Sequence, residues 1–475
     1  MTTQKMRSVL KEVLKEIKPS VEERRKFNRI SEEILELTNE IARKFRGYAI
    51  IAGSLTRDTW LPKKNEFDVF IVFPKDLPEE TLEKYGLEIG KKVIDSMNGT
   101  WVVEYAQHPY VRGSIGDVDI DIVPCYRVNS GEEIRSAVDR TPFHVDYLDK
   151  NLPRPLSDDV RLLKAFLRAH DIYGADTKTE GFSGYICELL VINYGKFHSV
   201  LNAVKNWKPK ELIDIKGYWE EKDYKKLRKK FKDEVLIIID PVDKNRNAAA
   251  AISPESFYKF KKITRDFLKN PQKELFRKKT FKPLAQKELE VLLNKRRTEL
   301  LMLKFGKPNV VPDILWPQLR KATGRLDDIL SEYEFRVHRS DFWSDEKKLC
   351  TILFEMEVNQ LPSINEKIGP HIWKETNSKN FIEKYKEVAI NGPYIRNNRW
   401  RVEVKRHWKS AVGKLRDTLS DEEKTLRSKG IPSYISNEIG EGFKILRNEE
   451  IGELLKNKEL GIFLRKYFEK EVLDI

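Results

Sequence analysis

The sequence predicts a multidomain protein that is α/β in its opening third and α+β towards its C-terminal end. Its 475 residues suggest about three domains, since a domain commonly holds ~150 residues. Short apolar runs follow amphipathic helical segments in the first third, and strands mix with basic helical segments after residue 284. We therefore predict a head at 1–145, a mostly helical central domain at 146–282 and a C-terminal region at 283–475.

The head is predicted to begin with helices and to continue with three strands. Apolar residues recur at near-helical spacing within Met6–Ile17 and within residues 22–46. The apolar runs that predict strands are Tyr48–Ala52, Asp68–Phe73 and Val118–Val123. Pro74 and Pro124 follow the last two runs, and we expect them to end those strands because proline cannot donate to a ladder.

The central domain is predicted to be helical at Asp158–Ala169 and at 183–206, with one strand at Val235–Ile239. Charged residues of the first helix are spaced to share one face, and by themselves such charges would be expected to face solvent. These charged residues are Arg161, Lys164 and Arg168.

The C-terminal region is predicted to begin after a Lys-rich segment that Pro271 and Pro283 interrupt. Its predicted strands are Leu300–Phe305 and Leu349–Val358, and basic helices lie between and after them. The segment at 222–232 is a further basic run with interleaved aromatic residues, expected to be an exposed helix unless it faces RNA.

Composition excludes several classes of protein. Only three cysteines occur, far apart, which argues against a disulfide framework and a thiolate zinc site. Apolar runs stay well short of the ~18 residues of a membrane span, so we expect a cytoplasmic protein without a membrane partner. The formal net charge of +14 favours a polyanionic partner such as nucleic acid.

A Gly-Ser turn and two acids form the first chemical motif. Gly53 and Ser54 follow a buried strand directly, and glycine lets a phosphate approach the backbone closely. Glu66 and Asp68 lie two apart at the start of the next strand, so alternation puts both carboxylates on one face. Two like charges at that distance favour a bound cation, and Mg²⁺ prefers carboxylates together with phosphate oxygens.

A third carboxylate is expected from the next strand, where periodicity leaves the choice open. Asp117, Asp119 and Asp121 all alternate onto one face. A solvated edge strand would suit Asp117 well and Asp121 poorly, because Asp121 leads into the apolar Ile-Val-Pro-Cys. Three carboxylates on two strands predict a two-metal site for nucleotidyl transfer. The basic candidates to balance a triphosphate are Arg57, His144 and Lys164.

These motifs resemble the signature of the DNA polymerase β nucleotidyltransferase superfamily, and within it the archaeal (class I) CCA-adding enzymes. The head strings that carry the resemblance are Arg57-Asp-Thr-Trp-Leu-Pro, Tyr105-Ala-Gln-His-Pro-Tyr, Asp121-Ile-Val-Pro-Cys-Tyr and Ser136-Ala-Val-Asp-Arg-Thr-Pro-Phe-His144. The later strings are Arg161-Leu-Leu-Lys164, Ile172-Tyr-Gly-Ala, Gly181-Phe-Ser-Gly-Tyr-Ile-Cys-Glu and Asp240-Pro-Val-Asp-Lys-Asn-Arg-Asn247. The sequence departs from the family pattern at Thr56 and Phe67, and neither replaces a polar ligand.

The resemblance implies a role for each site residue. Glu66, Asp68 and Asp121 would bind the metal ions, which resolves the choice among the three aspartates. The residues implied to hold the triphosphate and ribose, beside Gly53, are Ser54, Arg57, His144, Lys164 and Tyr173. Arg246 would lie in the pocket that selects the base, with Asp243 and Asn247 as plausible supports.

The resemblance also implies a fold and a reaction. A polymerase-β-like head with a small mixed sheet, a helical central domain and an α+β RNA-binding region would add C, C and A to the tRNA 3′ end. CTP and ATP would be the substrates, Mg²⁺ the cofactor and the tRNA acceptor stem the partner, and relatives suggest that a homodimer can form. The alternatives are a poly(A) polymerase or another RNA-tailing enzyme, and a non-catalytic RNA-binding protein on the same scaffold.

Overall fold

The computed structural model describes residues 4–62, 66–105, 108–128 and 133–470. The chain divides into two compact units, one up to Lys279 and the other from Thr280. No helix in the described ranges is long and apolar enough to cross a membrane.

The first unit opens with two helices and a five-stranded sheet. Its elements begin α1 (Gln4–Ile17), α2 (Val21–Arg43), β1 (Tyr48–Ala52), β2 (Glu66–Phe73), α3 (Glu79–Ser96), β3 (Thr100–Tyr105), β4 (Pro109–Ile115) and β5 (Val118–Tyr126). The strand order is β1-β2-β5-β4-β3, with β2 and β5 parallel and the other neighbours antiparallel. The small mixed sheet that the resemblance implies is therefore confirmed.

Alternation along β2 gives the sheet two different faces. Phe67, Val69 and Ile71 belong to the apolar cluster that also contains residues of α2 and α3. Phe70 and Val72 point the other way and pack with Cys125 of β5 in a separate, smaller cluster. One face of the sheet is thus covered by helices, and the polar ends of β2 and β5 lie on the opposite face.

The alternative of a solvated edge strand is excluded for β5, and the expectation that Pro124 ends this strand is wrong. The strand lies inside the sheet, between β2 and β4, and is not an edge strand. It also continues through Pro124 to Tyr126. Its pairing with β4 ends at Ile122, and beyond that point only β2 is a neighbour, so the missing N–H of Pro124 costs no ladder bond on the β4 side.

The rest of the first unit is mostly helical. Its elements are α4 (Thr141–Asn151), α5 (Ser157–Ala169), α6 (Gly184–Tyr194), α7 (Phe197–Val204), β6 (Glu211–Ile213), α8 (Tyr224–Lys230), β7 (Leu236–Asp240), β8 (Asp243–Asn247) and α9 (Pro254–Lys269). The predicted helical region at 183–206 is two helices, because Gly195 adopts φ +83° between them. Buried side chains of α5, α6, α7 and α9 form one core, which also takes Met6 and Val13 of α1.

The second unit is α+β, as predicted. Its elements are α10 (Gln286–Arg296), β9 (Glu299–Gly306), α11 (Pro312–Glu332), β10 (Arg336–Ser344), β11 (Leu349–Val358), β12 (Ile364–His371), α12 (Glu375–Tyr385), β13 (Ala389–Arg396), β14 (Arg399–Lys405), α13 (Ala411–Leu419), α14 (Glu423–Ser428), α15 (Ser433–Glu441), β15 (Phe443–Arg447) and α16 (Lys458–Phe468). They include sheets with the orders β10-β11-β9-β15 and β12-β14-β13. The first of these sheets contributes to two apolar cores.

Candidate active site

The predicted carboxylates lie on the polar face of the five-stranded sheet. Asp68 of β2 and Asp121 of β5 are Cα partners in the parallel register, and Glu66 is the partner of Asp119 in the same ladder. Because Phe67 packs with the helices on the other face, the alternation expected for Glu66 and Asp68 is confirmed. The strand register therefore brings Asp68 and Asp121 side by side from positions far apart in the sequence.

The three aspartates around β5 have different surroundings. Asp121 accepts two hydrogen bonds from Arg112 of β4, from Nε at 2.8 Å and from the terminal nitrogen at 3.0 Å. Burial raises the pKa of Asp121, and the nearby Glu66 and Asp119 act in the same direction, whereas Arg112 lowers it. Asp119 is exposed and accepts from the Ser114 hydroxyl at 2.6 Å. Asp117 precedes the strand and pairs with Lys26.

The Gly-Ser turn is held against the Asp68 carboxylate. Gly53 adopts φ +88°, a left-handed conformation that favours glycine. A Cβ built there would lie 3.6 Å from Oδ2 of Asp68. Ala52 at the end of β1 is the Cα partner of Asp68 in the antiparallel register, which sets this proximity. The turn therefore presents open backbone beside a carboxylate, as a phosphate-and-metal site requires.

A cavity of about 330 Å³ opens beside this turn. Its lining residues are Ala52, Gly53, Ser54, Arg57, Asp68, Phe70, Thr141, His144, Val145, Leu148, Lys164, Tyr173, Gly184, Tyr185 and Glu188. The predicted Gly53, Ser54, Arg57, Asp68, His144, Lys164 and Tyr173 are all among them. Glu66, Asp121 and Arg246 do not line it.

Arg57 and Lys164 meet at a buried carboxylate, Glu188 of α6. A terminal nitrogen of Arg57 donates to Glu188 Oε2 at 3.2 Å, and Lys164 Nζ lies 3.4 Å from Oε1. Thr59 donates its hydroxyl to Oε1 and accepts from Lys164 at 3.0 Å. Burial raises the pKa of Glu188, but Lys164, Arg57 and Thr59 outweigh it and the pKa is lowered. The carboxylate thus fixes two cations at the cavity wall.

The alternative that the charged residues of α5 form a solvated helix face is excluded for Arg161 and Lys164. Their exposed fractions are 1% and 2%, whereas Arg168 is exposed. Arg161 donates to the Trp60 carbonyl at 3.0 Å and to Asp158 at 2.7 Å. Helix α5 can bury its charged side as well as its apolar side because each buried cation has a carboxylate partner. Arg161 pairs with Asp58 of the 54–62 loop, and Lys164 pairs with Glu188 of α6.

The cavity wall also contains the tyrosine predicted at position 173. A Cβ built at Gly184 would lie 3.2 Å from the Tyr173 hydroxyl and 3.6 Å from Lys164 Nζ, so the absent side chain leaves room for both polar groups. Gly184 is the first residue of α6, whose N-cap Ser183 accepts from the Ile186 amide at 3.1 Å. The backbone amides at this helix start add positive partial charge to that of Lys164.

Asp240 holds two further cavity residues, His144 and Tyr185, together with Arg246. This carboxylate ends β7, is completely buried and contacts His144, Tyr185 and Arg246. The His144 and Tyr185 rings pack with centroids 4.2 Å apart. Asn247, a suggested support, accepts from the Ile238 and Ala249 amides and so ties the end of β8 to β7. Asp243, the other, pairs with Arg140 at 3.5 Å.

Sequence reasoning missed Glu188, Tyr185 and Asp240 as site residues. All three occur in strings quoted for the resemblance, which were used there only as markers of family. A single charged residue in an apolar helix could have identified Glu188, since it is the one charged residue within Gly184–Tyr194 and a buried charge needs a partner.

The carboxylates suit a hard divalent cation. Glu66, Asp68 and Asp121 offer carboxylate oxygens, the ligand type that Mg²⁺ prefers, and Asp68 lines the cavity. Their ligand atoms are not within 4.8 Å of one another; among the described residues only Glu79, Glu83 and His108 form such a group. The wider spacing is expected of like charges, with Asp121 turned towards Arg112.

Three family models match the chain in succession. A nucleotidyltransferase domain matches residues 34–144, which contain the sheet and its carboxylates. The second domain of tRNA nucleotidyltransferases matches residues 158–277, and the C-terminal domain of CCA-adding enzymes matches residues 296–448.

Curated relatives match over nearly the whole chain. A CCA-adding enzyme of Methanocaldococcus jannaschii is 38% identical over 452 residues, covering 94% of this chain and 96% of the relative. One of Methanoregula boonei is 35% identical over 455 residues, covering 96% and 94%. A third, of Methanococcus maripaludis strain C7, is 40% identical over 389 residues, covering 81% and 86%.

Proposed function

The chain belongs to the CCA-adding enzymes, and we propose that it carries out their reaction with the side chains around the 330 Å³ cavity. The enzyme is a nucleotidyltransferase that adds C, C and A to the 3′ end of tRNA from CTP and ATP, without a template, and releases pyrophosphate. The observation that carries the site assignment is the register pairing of Asp68 with Asp121 beside the Gly53 turn.

Glu66, Asp68 and Asp121 would hold two Mg²⁺ ions. Bound Mg²⁺ supplies positive charge that activates the attacking 3′-hydroxyl and stabilises the leaving pyrophosphate. Arg112 orients the Asp121 carboxylate through its two hydrogen bonds and balances part of its charge. Asp117 has no part in the reaction, since it lies outside β5 and pairs with Lys26.

The triphosphate would lie along the wall formed by Ser54, Arg57, Lys164 and Tyr173. Glu188 keeps the two cations in place before the nucleotide arrives, so little reorganisation is needed when it binds. The start of α6 at Gly184 contributes backbone amides to the same wall.

The base and ribose would lie towards His144 and Arg246. A donor-rich guanidinium suits the acceptor atoms of cytosine and adenine, and the growing tRNA end would complete the pocket and set which base fits.

The remaining proposals concern the whole enzyme. We propose that residues 1–145, 146–282 and 283–475 act as catalytic head, nucleotide-pocket domain and tRNA-binding region. The net charge of +14 supports contacts to the phosphates of the acceptor stem. A homodimer and a cytoplasmic location are further proposals, and measured mass and cell fractionation test them.

The test supplies tRNA that lacks its 3′ CCA together with labelled CTP, ATP, UTP and GTP. The proposal expects two C and then one A, after which incorporation stops. Long A tails would instead indicate a tailing enzyme, and unordered incorporation would contradict the assignment.

Two matched variants test the metal ligands in the same assay. Asp68→Asn and Asp117→Asn each remove one carboxylate charge from the same region of the head. We expect Asp68→Asn to abolish transfer while tRNA binding survives, and Asp117→Asn to remain active. Transfer that persists in Asp68→Asn would show that the metal assignment is wrong.

A further inference from the structure

The Asp240 carboxylate has four polar partners. Oδ1 accepts from the Tyr185 hydroxyl at 3.0 Å and from the Val242 amide at 3.0 Å. Oδ2 accepts from Arg246 Nη1 at 2.5 Å and contacts His144 Nε2 at 3.1 Å. These contacts come from α4, α6, β8 and the turn after β7, and they use essentially the whole acceptor capacity of the carboxylate.

The environment keeps this carboxylate ionised. Asp240 has an exposed fraction of 0%. Burial raises its pKa, but His144, the Val242 amide and Arg246 outweigh that effect and lower the pKa to about 2. A fully buried charge is costly unless its donors are in place, so the four partners and the carboxylate constrain one another.

Arg246 is held on one side only. In the part of the chain that the structure describes, its contact is through Nη1 to Asp240, and no partner occupies Nε or Nη2. Its side chain is 37% exposed, so the remaining donors can reach a ligand. The orientation of these donors is therefore set by Asp240.

A guanidinium with a fixed direction can distinguish nucleobases. Cytosine and adenine each carry an unprotonated ring nitrogen beside an amino group, whereas uracil and guanine carry a ring N–H beside a carbonyl. A group that only donates hydrogen bonds is attracted to the first pair and opposed by the ring N–H of the second. A mobile guanidinium would lose much of this discrimination, because it could turn towards the carbonyl oxygens of uracil and guanine.

We propose that Asp240 is a positioning residue that sets nucleotide selectivity, by fixing Arg246, His144 and Tyr185 together at the base side of the cavity. The proposal rests on the proposed function, since it takes the cavity as the nucleotide site. His144 and Tyr185 line the cavity, whereas Asp240 and Arg246 do not, and Asp240 acts on selectivity through the direction in which it holds the Arg246 guanidinium.

The test measures kcat and KM of Asp240→Asn for each of the four nucleotides on tRNA ending in C or CC. We expect kcat/KM for CTP and ATP to fall by about 10- to 100-fold, mostly through KM, the size expected for a lost hydrogen bond to a charged group. The preference for CTP and ATP over UTP and GTP should fall by about tenfold. Unchanged selectivity in a folded Asp240→Asn enzyme would overturn the proposal.

A double-mutant cycle with Arg246→Ala separates positioning from a general structural role. If Asp240 acts through Arg246, adding Asp240→Asn to Arg246→Ala should change selectivity by no more than about twofold. Independent effects of the two substitutions on selectivity would contradict the proposal.

Glu355→Gln is the matched control for stability. Glu355 is also a completely buried carboxylate that accepts from an arginine, a tyrosine and a further hydroxyl, but it lies in the second unit. We expect it to lower the melting temperature without altering selectivity. Equal selectivity losses in both variants would mean that Asp240 acts only through stability, and would overturn the proposal.

Tyr185→Phe keeps the test decisive if Asp240→Asn does not fold. It removes one donor to Asp240 and retains the ring that packs on His144. We expect a smaller loss of selectivity in the same direction, and no loss would count against the proposal. Ordered C, C, A addition by the unchanged enzyme tests the proposed function separately.

Discussion

At the residue scale, Glu188 and Asp240 are two buried carboxylates that each hold side chains of the same cavity. Glu188 holds Arg57 and Lys164, and Asp240 holds His144 and Arg246. Neither is assigned to bind a ligand directly. Each fixes side chains that would, so the cationic groups are in position before a substrate enters.

Glu188→Gln should destabilise the enzyme by about 3 kcal/mol, because the buried Arg57 and Lys164 would lose the carboxylate charge that they share. CTP with Mg²⁺ should restore part of this loss, since a triphosphate brings negative charge to the same cations. Thermal unfolding with and without CTP measures both effects. Glu355→Gln should lose stability without this additional rescue, and equal stabilisation by CTP of Glu188→Gln and the unchanged enzyme would contradict the prediction.

Asp240 should make stability depend on pH in the acid range. Its pKa is about 2 in the folded protein against an ordinary 3.8. Because the folded value is the lower one, the stabilisation of about 2 kcal/mol is present above about pH 4 and is lost as pH falls towards 2. The unfolding free energies of the unchanged enzyme and Asp240→Asn should therefore converge between about pH 6 and pH 3 in urea titrations. A difference in unfolding free energy that stays constant over this pH range would contradict the prediction.

How much of the site the sequence could predict depends on how far apart the partners are. Alternation over two residues placed Glu66 and Asp68 on one face, and the structure confirms it. The partners of Glu188 and Asp240 lie much further away, at separations of 131 residues for Arg57 and 96 for His144. Such pairings are set by tertiary packing, and hydrophobic periodicity along the sequence does not predict them.

At the element scale, helix α3 shows how closely the sheet and its covering helices pack. A Cβ built at Gly90 would lie 2.8 Å from Val111 of β4, and one at Gly86 would lie 2.7 Å from Pro124 of β5. These two glycines, one helical turn apart, let α3 approach strands that carry the site on their other face.

Gly90→Ala should destabilise the head by about 1–2 kcal/mol, although alanine favours helix more than glycine does, because Val111 offers no room for the added methyl group. Gly324→Ala in α11 is the matched control. No described atom lies within 4 Å of a Cβ at that position, so the same change should stabilise by up to about 1 kcal/mol. Denaturant titrations of both variants check the opposite signs. The same sign in both would show that packing against β4 is not the cause.

The elements themselves were largely predictable, and the differences have local causes. The strand at Tyr48–Ala52 has the predicted bounds, and Leu349–Val358 does as well. The helical segment at 183–206 was not predicted to break, because its apolar residues continue across Gly195. Pro124 was expected to end β5 but does not, because β5 has no β4 neighbour beyond Ile122 to which the missing N–H would have donated.

At the scale of the whole molecule, the chain combines several separate cores with a large positive charge. The sheet with α2 and α3 encloses one core, and helices α5, α6, α7 and α9 enclose another. Helix α1 contributes Met6 and Val13 to the second of these, although it lies within the predicted head in sequence. An amphipathic pattern predicts that a helix has a buried face, but it does not identify the partner, so the division at 145 and 282 stays a prediction.

Affinity for tRNA should fall by at least about tenfold between roughly 50 and 200 mM salt. The protein has a net charge of +14, and its cationic side chains displace counterions from the RNA when they contact phosphates. Filter binding or fluorescence anisotropy at several salt concentrations measures the slope. A neutral osmolyte at the same osmolality should leave the affinity unchanged. Binding that is insensitive to salt would mean that phosphate contacts contribute little.

The three cysteines make the native chain a set of built-in reporters of local unfolding. Cys125 packs on the site face of the sheet, Cys187 in the helical core of the first unit and Cys350 in a core of the second unit. Burial raises the pKa of each thiol, so none should react with a modifying reagent until its own core opens. Pulsed thiol labelling followed by mass spectrometry would therefore measure the opening rate of each of the three cores in one protein without introduced cysteines.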